Sequence, residues 1–210
     1  MTETERSDGP PGPLRPRRAD EFEAMYASTP PWEIGRPQRV FVDLGAAGKL
    51  HGRVLDAGCG TGEHALLAAT LGLDATGVDA APTAIAIAER KARERGLAAR
   101  FLVGDALDLP ALGMVFDTVL DCGLFHIFDD PDRAQYVESL RSVIAAGGRY
   151  HMLCFSDRQP GDWGPRRVHR DEITASFATG WRVDSIEPAT LEVTIDTGMV
   201  SAWMVDITRS

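Results

Sequence analysis

Short apolar runs recur along the middle of the chain, at residues 53–56, 75–79, 100–103, 118–121 and 149–155, with longer polar or amphipathic stretches between most of them. Runs of this length bounded by turn residues read as buried strands. The intervals read as helices. Residues 63–71 form one that Gly72 ends; Pro82 opens the next in its first turn, and 84–95 carries it to Gly96. Asp130-Pro131 starts another, with Val137, Leu140 and Ile144 on one face. The interval between the third and fourth strands offers almost no room for a helix. Upstream, Phe22, Met25 and Tyr26 lie at helical spacing within 20–27, Pro30-Pro31 stops that helix, and 40–50 forms a second. Downstream, a short helix at 171–178 precedes three β-rich segments, 181–187, 191–195 and 202–209, separated only by turns. Strands so closely connected run antiparallel. The pattern predicts an α/β fold: a doubly wound, mostly parallel sheet with an antiparallel C-terminal hairpin.

At 210 residues the chain has the length of one domain, expected over 19–210, with 19–50 as an N-terminal helical lid. Residues 1–18 mix proline, glycine and charge without periodicity and are expected to be disordered. The formal net charge of −9 speaks against an extended nucleic-acid surface. The basic clusters at 15–18, 90–95 and 166–170 read as tail or solvated faces. No apolar run approaches the roughly 20 residues that span a bilayer, and the polar N-terminus is not a signal peptide. Cys59, Cys122 and Cys154 form no C-x-x-C pair, so reduced thiols in a cytoplasmic protein without a metal are expected. A monomer or weak homodimer is the expected state.

The chemistry concentrates in Val54-Leu55-Asp56-Ala57-Gly58-Cys59-Gly60-Thr61-Gly62, a strand feeding a glycine turn and a helix. Such a turn lets a nucleotide cofactor approach the main chain. A dinucleotide fingerprint places its last glycine where this chain has Glu63, which speaks against an NAD-linked reductase. Carboxylates at Asp56 and Glu63 would repel a pyrophosphate in a partly dry site. They suit S-adenosylmethionine, which carries a sulfonium and an ammonium and no phosphate. Asp79 lies 21 positions after Gly58, the usual offset of an acid that accepts from both ribose hydroxyls.

From residue 53 to 155, about half its length, the chain resembles the class I S-adenosylmethionine-dependent methyltransferases. The likeness rests on Asp56 to Gly62, on Gly77-Val78-Asp79, on Val103-Gly104-Asp105-Ala106, on Phe116 to Asp121, and on Ala146-Gly147-Gly148, with alanine where that family usually has proline. It implies strand order 3-2-1-4-5-7-6. It also implies cofactor contacts from Trp32, Asp56, Gly58, Gly60, Asp79, Ala80, Asp105, Ala106 and Asp121, and S-adenosylhomocysteine as product. Pro30-Pro31-Trp32-Glu33-Ile34-Gly35-Arg36-Pro37 is similar to a segment of the thiopurine, halide/thiol and tellurite methyltransferases. That implies a small-molecule acceptor, with S-methylation of a thiol or other soft nucleophile favoured over O- or N-methylation. The end of the fourth strand, Asp121-Cys122-Gly123-Leu124, lacks the Asn/Asp-Pro-Pro-Tyr of amino-methylating DNA and glutamine enzymes. A cofactor-binding regulator without catalysis is the alternative of a different class.

Methyl transfer from a sulfonium is an in-line displacement that positioning and desolvation can largely drive. His126 is the candidate general base, against a hydrogen-bonded histidine in an apolar loop. Phe125, Phe128 and Trp32 are candidates for an apolar lid, and Cys122 for a small buried residue beside it. The Gly/Pro-rich loop 156–165 is a second candidate wall, where Arg158 would steer an anionic acceptor or stabilise a thiolate, unless it makes only a surface ion pair.

Overall fold

The computed structural model describes residues 19–195 and 198–210; the tail expected to be disordered, and its basic cluster at 15–18, lie outside the described residues. Seven strands form one sheet in the order 3-2-1-4-5-7-6. They are β1 (Arg53–Ala57), β2 (Asp74–Asp79), β3 (Ala99–Val103), β4 (Phe116–Cys122), β5 (Ile144–Phe155), β6 (Trp181–Glu192) and β7 (Met199–Arg209). The first five run parallel, and β7 is antiparallel to both β5 and β6. The helices are α1 (Ala19–Met25), α2 (Arg39–Ala46), α3 (Glu63–Thr70), α4 (Pro82–Arg95), α5 (Asp130–Val143) and α6 (Arg170–Ser176).

The central strands read as unbroken apolar runs because both of their faces are covered. Side chains alternate across a strand. Leu55, Val119 and Met152 pack into one cluster with Tyr136 and Leu140 of α5 and Ile173 of α6. Their neighbours Val54, Leu120 and Leu153 pack into a second with Phe41 and Leu44 of α2. Two-sided burial of this kind is the normal condition of a parallel sheet.

Several boundaries differ from the sequence reading. The segments expected at 181–187 and 191–195 are one strand, β6, which runs through Pro188. The proline is accommodated because β6 is the outermost strand. Residues 106–112, expected to hold no helix, wind into a 3-10 stretch, Ala106–Leu112. Ile144, expected on a helix face, begins β5 opposite Phe116. At the glycine pair that follows, Gly147 takes φ +77°, and a Cβ on Gly148 would lie 2.7 Å from the Ile144 side chain and 2.8 Å from the Ala145 carbonyl oxygen.

Candidate active site

A cavity of ≈ 1370 Å³ opens at the carboxyl ends of the parallel strands, roofed by α1 and residues 26–38. One half of its floor is the glycine turn with the ends of β2 and β3. Gly60 donates its N–H to Asp79 Oδ2 at 2.8 Å, and Ala81 donates to Asp79 Oδ1 at 2.9 Å. Asp79 thereby ties the turn to β2, and each of its oxygens retains a lone pair. Burial raises its pKa, against the pull of the two N–H groups. Asp105 accepts from the Leu107 N–H at 2.9 Å, capping the 3-10 stretch. Gly62 takes φ +87° and a Cβ there would sit 2.6 Å from the Phe101 ring, so only glycine lets α3 start this close to β3.

Helices α3 and α4 both lack a side-chain N-cap of their own, at Gly62 and Ala81. Other elements fill the gap. Asp56, 1% exposed on β1, accepts the Ala65 N–H at 3.0 Å, in the first turn of α3. Burial, together with the charges of Asp79 and Asp121, pushes its pKa up to about 7. Glu23 of α1 accepts from the N–H and hydroxyl of Thr83 in the first turn of α4. Those two bonds dock α1 on the N-terminus of α4.

The lid is tied down at further points. Trp32 donates its indole N–H to the Tyr26 hydroxyl at 3.2 Å and meets the Phe22 and Tyr26 rings edge-on. The Thr61 hydroxyl donates to Glu33. Lys91 donates to Thr61 at 2.6 Å and to Glu63 at 2.8 Å, and Glu63 also holds Arg95 through two bonds of 2.8 Å. Glu63 is therefore balanced within the protein by Lys91 and Arg95, so, contrary to expectation, its charge does not call for a cationic ligand. The carboxylates left without a basic partner on this floor are Asp79 and Asp105, which accept only backbone N–H groups. Helix α1 is short and partly exposed, and Glu23 on Thr83 is its bond to α4. Hydrogen exchange in residues 20–40 is expected to slow when S-adenosylhomocysteine binds, and equal protection with and without it would rule out closure over the cofactor.

The other half of the cavity is apolar. Leu124, Phe128, Phe155, Trp163, Leu191 and Val193 contribute to it. His126 faces it from the short turn after β4, but its Nδ1 accepts the Phe155 backbone N–H at 3.0 Å. A backbone amide can only donate, so the Nδ1 lone pair is engaged and the neutral ring carries its proton on Nε2. Burial, with the Arg167 charge, lowers its pKa to about 3. His126 is thus a hydrogen-bond donor to the cavity, which corrects its expected role as general base.

Trp32, Gly58, Gly60, Asp79, Ala80, Asp105, Ala106 and His126 all line the cavity, as do Cys122 and Phe128. Three expected site residues do not. Asp56 lies beneath the turn. Asp121, at 0% exposure, accepts from the Leu124 and Phe125 N–H groups and from the Tyr136 and Tyr150 hydroxyls. Arg158 is exposed and lies over the Trp203 ring at 5.9 Å. Phe125 stacks on Phe177 in the core rather than forming a lid.

The residue that shapes the second wall is Arg167, which the sequence reading left on a solvated face. Its guanidinium donates to the carbonyls of Gln159, Gly161, Trp163 and Pro165 and lies over the Phe155 and Trp163 rings at 5.3 and 5.6 Å. It folds the loop back so that Trp163 meets Phe155. His64 and Gln38 were missed as well. His64 follows Glu63 in the first turn of α3, and its Nε2 accepts the Gln38 N–H at 3.1 Å. The Gln38 side chain pairs with both backbone groups of Glu192 at 2.9 Å, joining the lid to β6. The only sequence signal was the position of His64 directly behind the glycine turn.

A glycine turn at the end of β1, an acid at the end of β2 and a seventh strand inserted antiparallel between the fifth and sixth define a Rossmann-like, nucleoside-binding enzyme of the class I methyltransferase type. Residues 54–148 match the methyltransferase domain family. The chain is 39% identical over 183 residues to a 2-heptyl-1-hydroxyquinolin-4(1H)-one methyltransferase of Mycobacteroides abscessus, covering 82% of this chain and 81% of that protein. A demethylmenaquinone methyltransferase of Thermus thermophilus is 41% identical over 131 residues, 61% of this chain and 58% of that one. A solved structure reported under "Conversion of a Disulfide Bond into a Thioacetal Group during Echinomycin Biosynthesis" superimposes with a TM-score of 0.85 at 38% identity, over 92% of this chain and 93% of that one. The chain belongs to the S-adenosylmethionine-dependent methyltransferases. These relatives do not place it in the thiopurine, halide/thiol and tellurite group to which the Trp32 segment is similar.

Proposed function

We propose that the protein methylates a heteroatom of a largely apolar, ring-bearing small molecule that reaches the site already ionised or intrinsically nucleophilic. An acidic hydroxyl on a heteroaromatic ring is the first reading, and the sulfur of a thiol or other soft nucleophile the second. The observation that carries the proposal is the engaged Nδ1 of His126. With that lone pair held by Phe155, the apolar half offers no histidine to take up a proton. Asp129, at its rim, caps α5 by accepting from the Asp132 N–H at 3.0 Å. Bound S-adenosylmethionine would supply a methyl group on a sulfonium for in-line displacement. Asp79, Asp105 and the turn at Gly58 and Gly60 would hold it by its ribose, adenine and methionine parts. Phe155, Trp163 and Leu191 would exclude water from the acceptor and place its nucleophilic atom.

Two relatives support the acceptor classes, one named for a hydroxyquinolinone and one described by the conversion of a disulfide. The polar groups facing the chamber favour oxygen, since an N–H donor gains more from an oxyanion than from sulfur, a weak acceptor. Labelled cofactor offered to N-hydroxy heterocycles, phenols and aryl thiols of graded acidity tests the reading. The pH midpoint of kcat/KM is expected to follow the acceptor's own ionisation across the series. A midpoint that stays fixed whatever the acceptor would instead assign an enzyme base.

A further inference from the structure

We infer that His126 and His64 act as a pair of hydrogen-bond donors, through Nε2–H and Nδ1–H, that select an anionic acceptor presenting two oxygens. This inference rests on the methyl-transfer reading above and names the acceptor chemistry that the site would recognise. In both rings one nitrogen accepts a backbone N–H, from Phe155 to His126 Nδ1 and from Gln38 to His64 Nε2. Each bond sets the tautomer, because the donor is an amide and the ring must offer a lone pair. The proton is left on the opposite nitrogen in each case. Burial holds both rings neutral, lowering the pKa of His126 to about 3 and that of His64 to about 4.

Neither remaining N–H has a partner among the described residues, and neither is sealed into the core. The partnerless buried side-chain atoms of the described residues include His151 Nε2 but not His126 Nε2 or His64 Nδ1. Both residues line the cavity while being only 6% and 9% exposed. Their rings stand edge-on to Phe155 and Phe41, at 4.9 and 4.6 Å, and those two phenylalanines belong to one apolar cluster. Arg36 pairs with Glu192, Arg166 with Asp130 and Glu172, and Gln38 with the Glu192 backbone. An N–H that reaches the cavity unmet is free to donate to an acceptor on a bound molecule. Two such donors on the wall of one cavity fit a flat molecule with two acceptor oxygens sharing one negative charge, as in a deprotonated cyclic hydroxamate or a hydroxy-ketone. A thiolate, with one weakly accepting atom, meets at most one of them.

The test uses the protein loaded with S-adenosylhomocysteine and three probes: 1-hydroxypyridin-2-one, its O-methyl derivative and benzenethiol, each titrated calorimetrically at a pH where the first and third are ionised. The wild-type protein is expected to prefer the hydroxamate anion over both others. His126→Phe and His64→Phe are each expected to weaken hydroxamate binding about 10- to 100-fold, the range for a hydrogen bond to a charged group, and to change benzenethiolate binding less than about threefold. His126→Gln, which keeps an N–H near the Nε2 position, is expected to restore much of the loss. Should the phenylalanine variants not fold, long-range 1H–15N spectra of the wild-type rings serve instead. They are expected to show neutral His126 protonated on Nε2 and neutral His64 protonated on Nδ1, with both N–H protons moving downfield as 1-hydroxypyridin-2-one is added. Equal losses for all probes, no preference in the wild type, or the opposite tautomers would overturn the pair. Methyl transfer from labelled cofactor is read separately. Histidine-dependent binding without any methylated probe would count against the proposed function and leave the recognition pair standing.

Discussion

Asp121→Ala is expected to destabilise the protein by at least about 3 kcal/mol, because it strands several buried donors at once. The carboxylate sits at the end of β4 with no exposed surface. It accepts from the Leu124 N–H at 2.8 Å, the Phe125 N–H at 3.2 Å, the Tyr136 hydroxyl at 3.0 Å and the Tyr150 hydroxyl at 2.7 Å. Burial raises its pKa to about 6, and these donors restrain the rise. Alanine would leave two hydroxyls and two amides without partners inside the core, and a void beside them. Urea unfolding measures the loss, and Asp121→Asn, which keeps shape and one acceptor oxygen, is expected to lose less. A change below about 1 kcal/mol for the alanine variant would show that Asp121 does not organise this corner. The effect reaches the site because Leu124 and His126 hang from the same turn.

Asp79→Ala is expected to weaken S-adenosylmethionine and S-adenosylhomocysteine about 10- to 150-fold, the equivalent of about 1.5–3 kcal/mol for bonds to a charged acceptor. The structure adds a second source of loss to the lost ribose contacts. Without the carboxylate, the Gly60 and Ala81 N–H groups lose their acceptor and the glycine turn is no longer tied to β2. Asp79→Asn, which keeps one acceptor oxygen, is expected to fall between wild type and alanine. Isothermal titration calorimetry with either ligand decides it, and unchanged affinity would remove Asp79 from the cofactor site.

Much of this was legible along the chain because it is local. Strand and helix periods, Gly72 and Gly96 as helix ends and the glycine turn before α3 are backbone properties, and strand order followed from the family likeness. Asp79 stood out by its offset of 21 positions from Gly58, and it is the last residue of β2, where a side chain meets whatever lies beyond the sheet. Asp56 and Asp121 carry the same signal and do other work. Each lies one residue short of its strand's end, with Asp56 opposite Gly77 and Leu120 and Asp121 opposite Ala57 and Met152. That single residue puts them under the floor, where the Ala65 amide of α3 meets one oxygen of Asp56 and the Leu124 and Phe125 amides with the Tyr136 and Tyr150 hydroxyls meet Asp121.

The remaining differences are questions of who meets whom at a distance. Pro188 sits within a strand because β6 has no neighbour on one side. His126 became a donor through an amide 29 residues away, and His64 through one 26 residues away in the lid. Of the arginines in and after the strand-five loop, the chain's return decides that Arg167 enters among Phe155, Trp163 and four carbonyls while Arg158 is left outside. The sequence by itself determined the alternation of strands and helices and the glycine turn, since these depend on periodicity and on contacts within a few residues, while the strand order and the enzyme class followed from the family likeness. The tertiary structure alone decided which nitrogen of each histidine accepts a backbone amide, the balance of Glu63 and the packing of Trp163 on Phe155. Each of those is set by a hydrogen bond or charge between segments that only packing brings together.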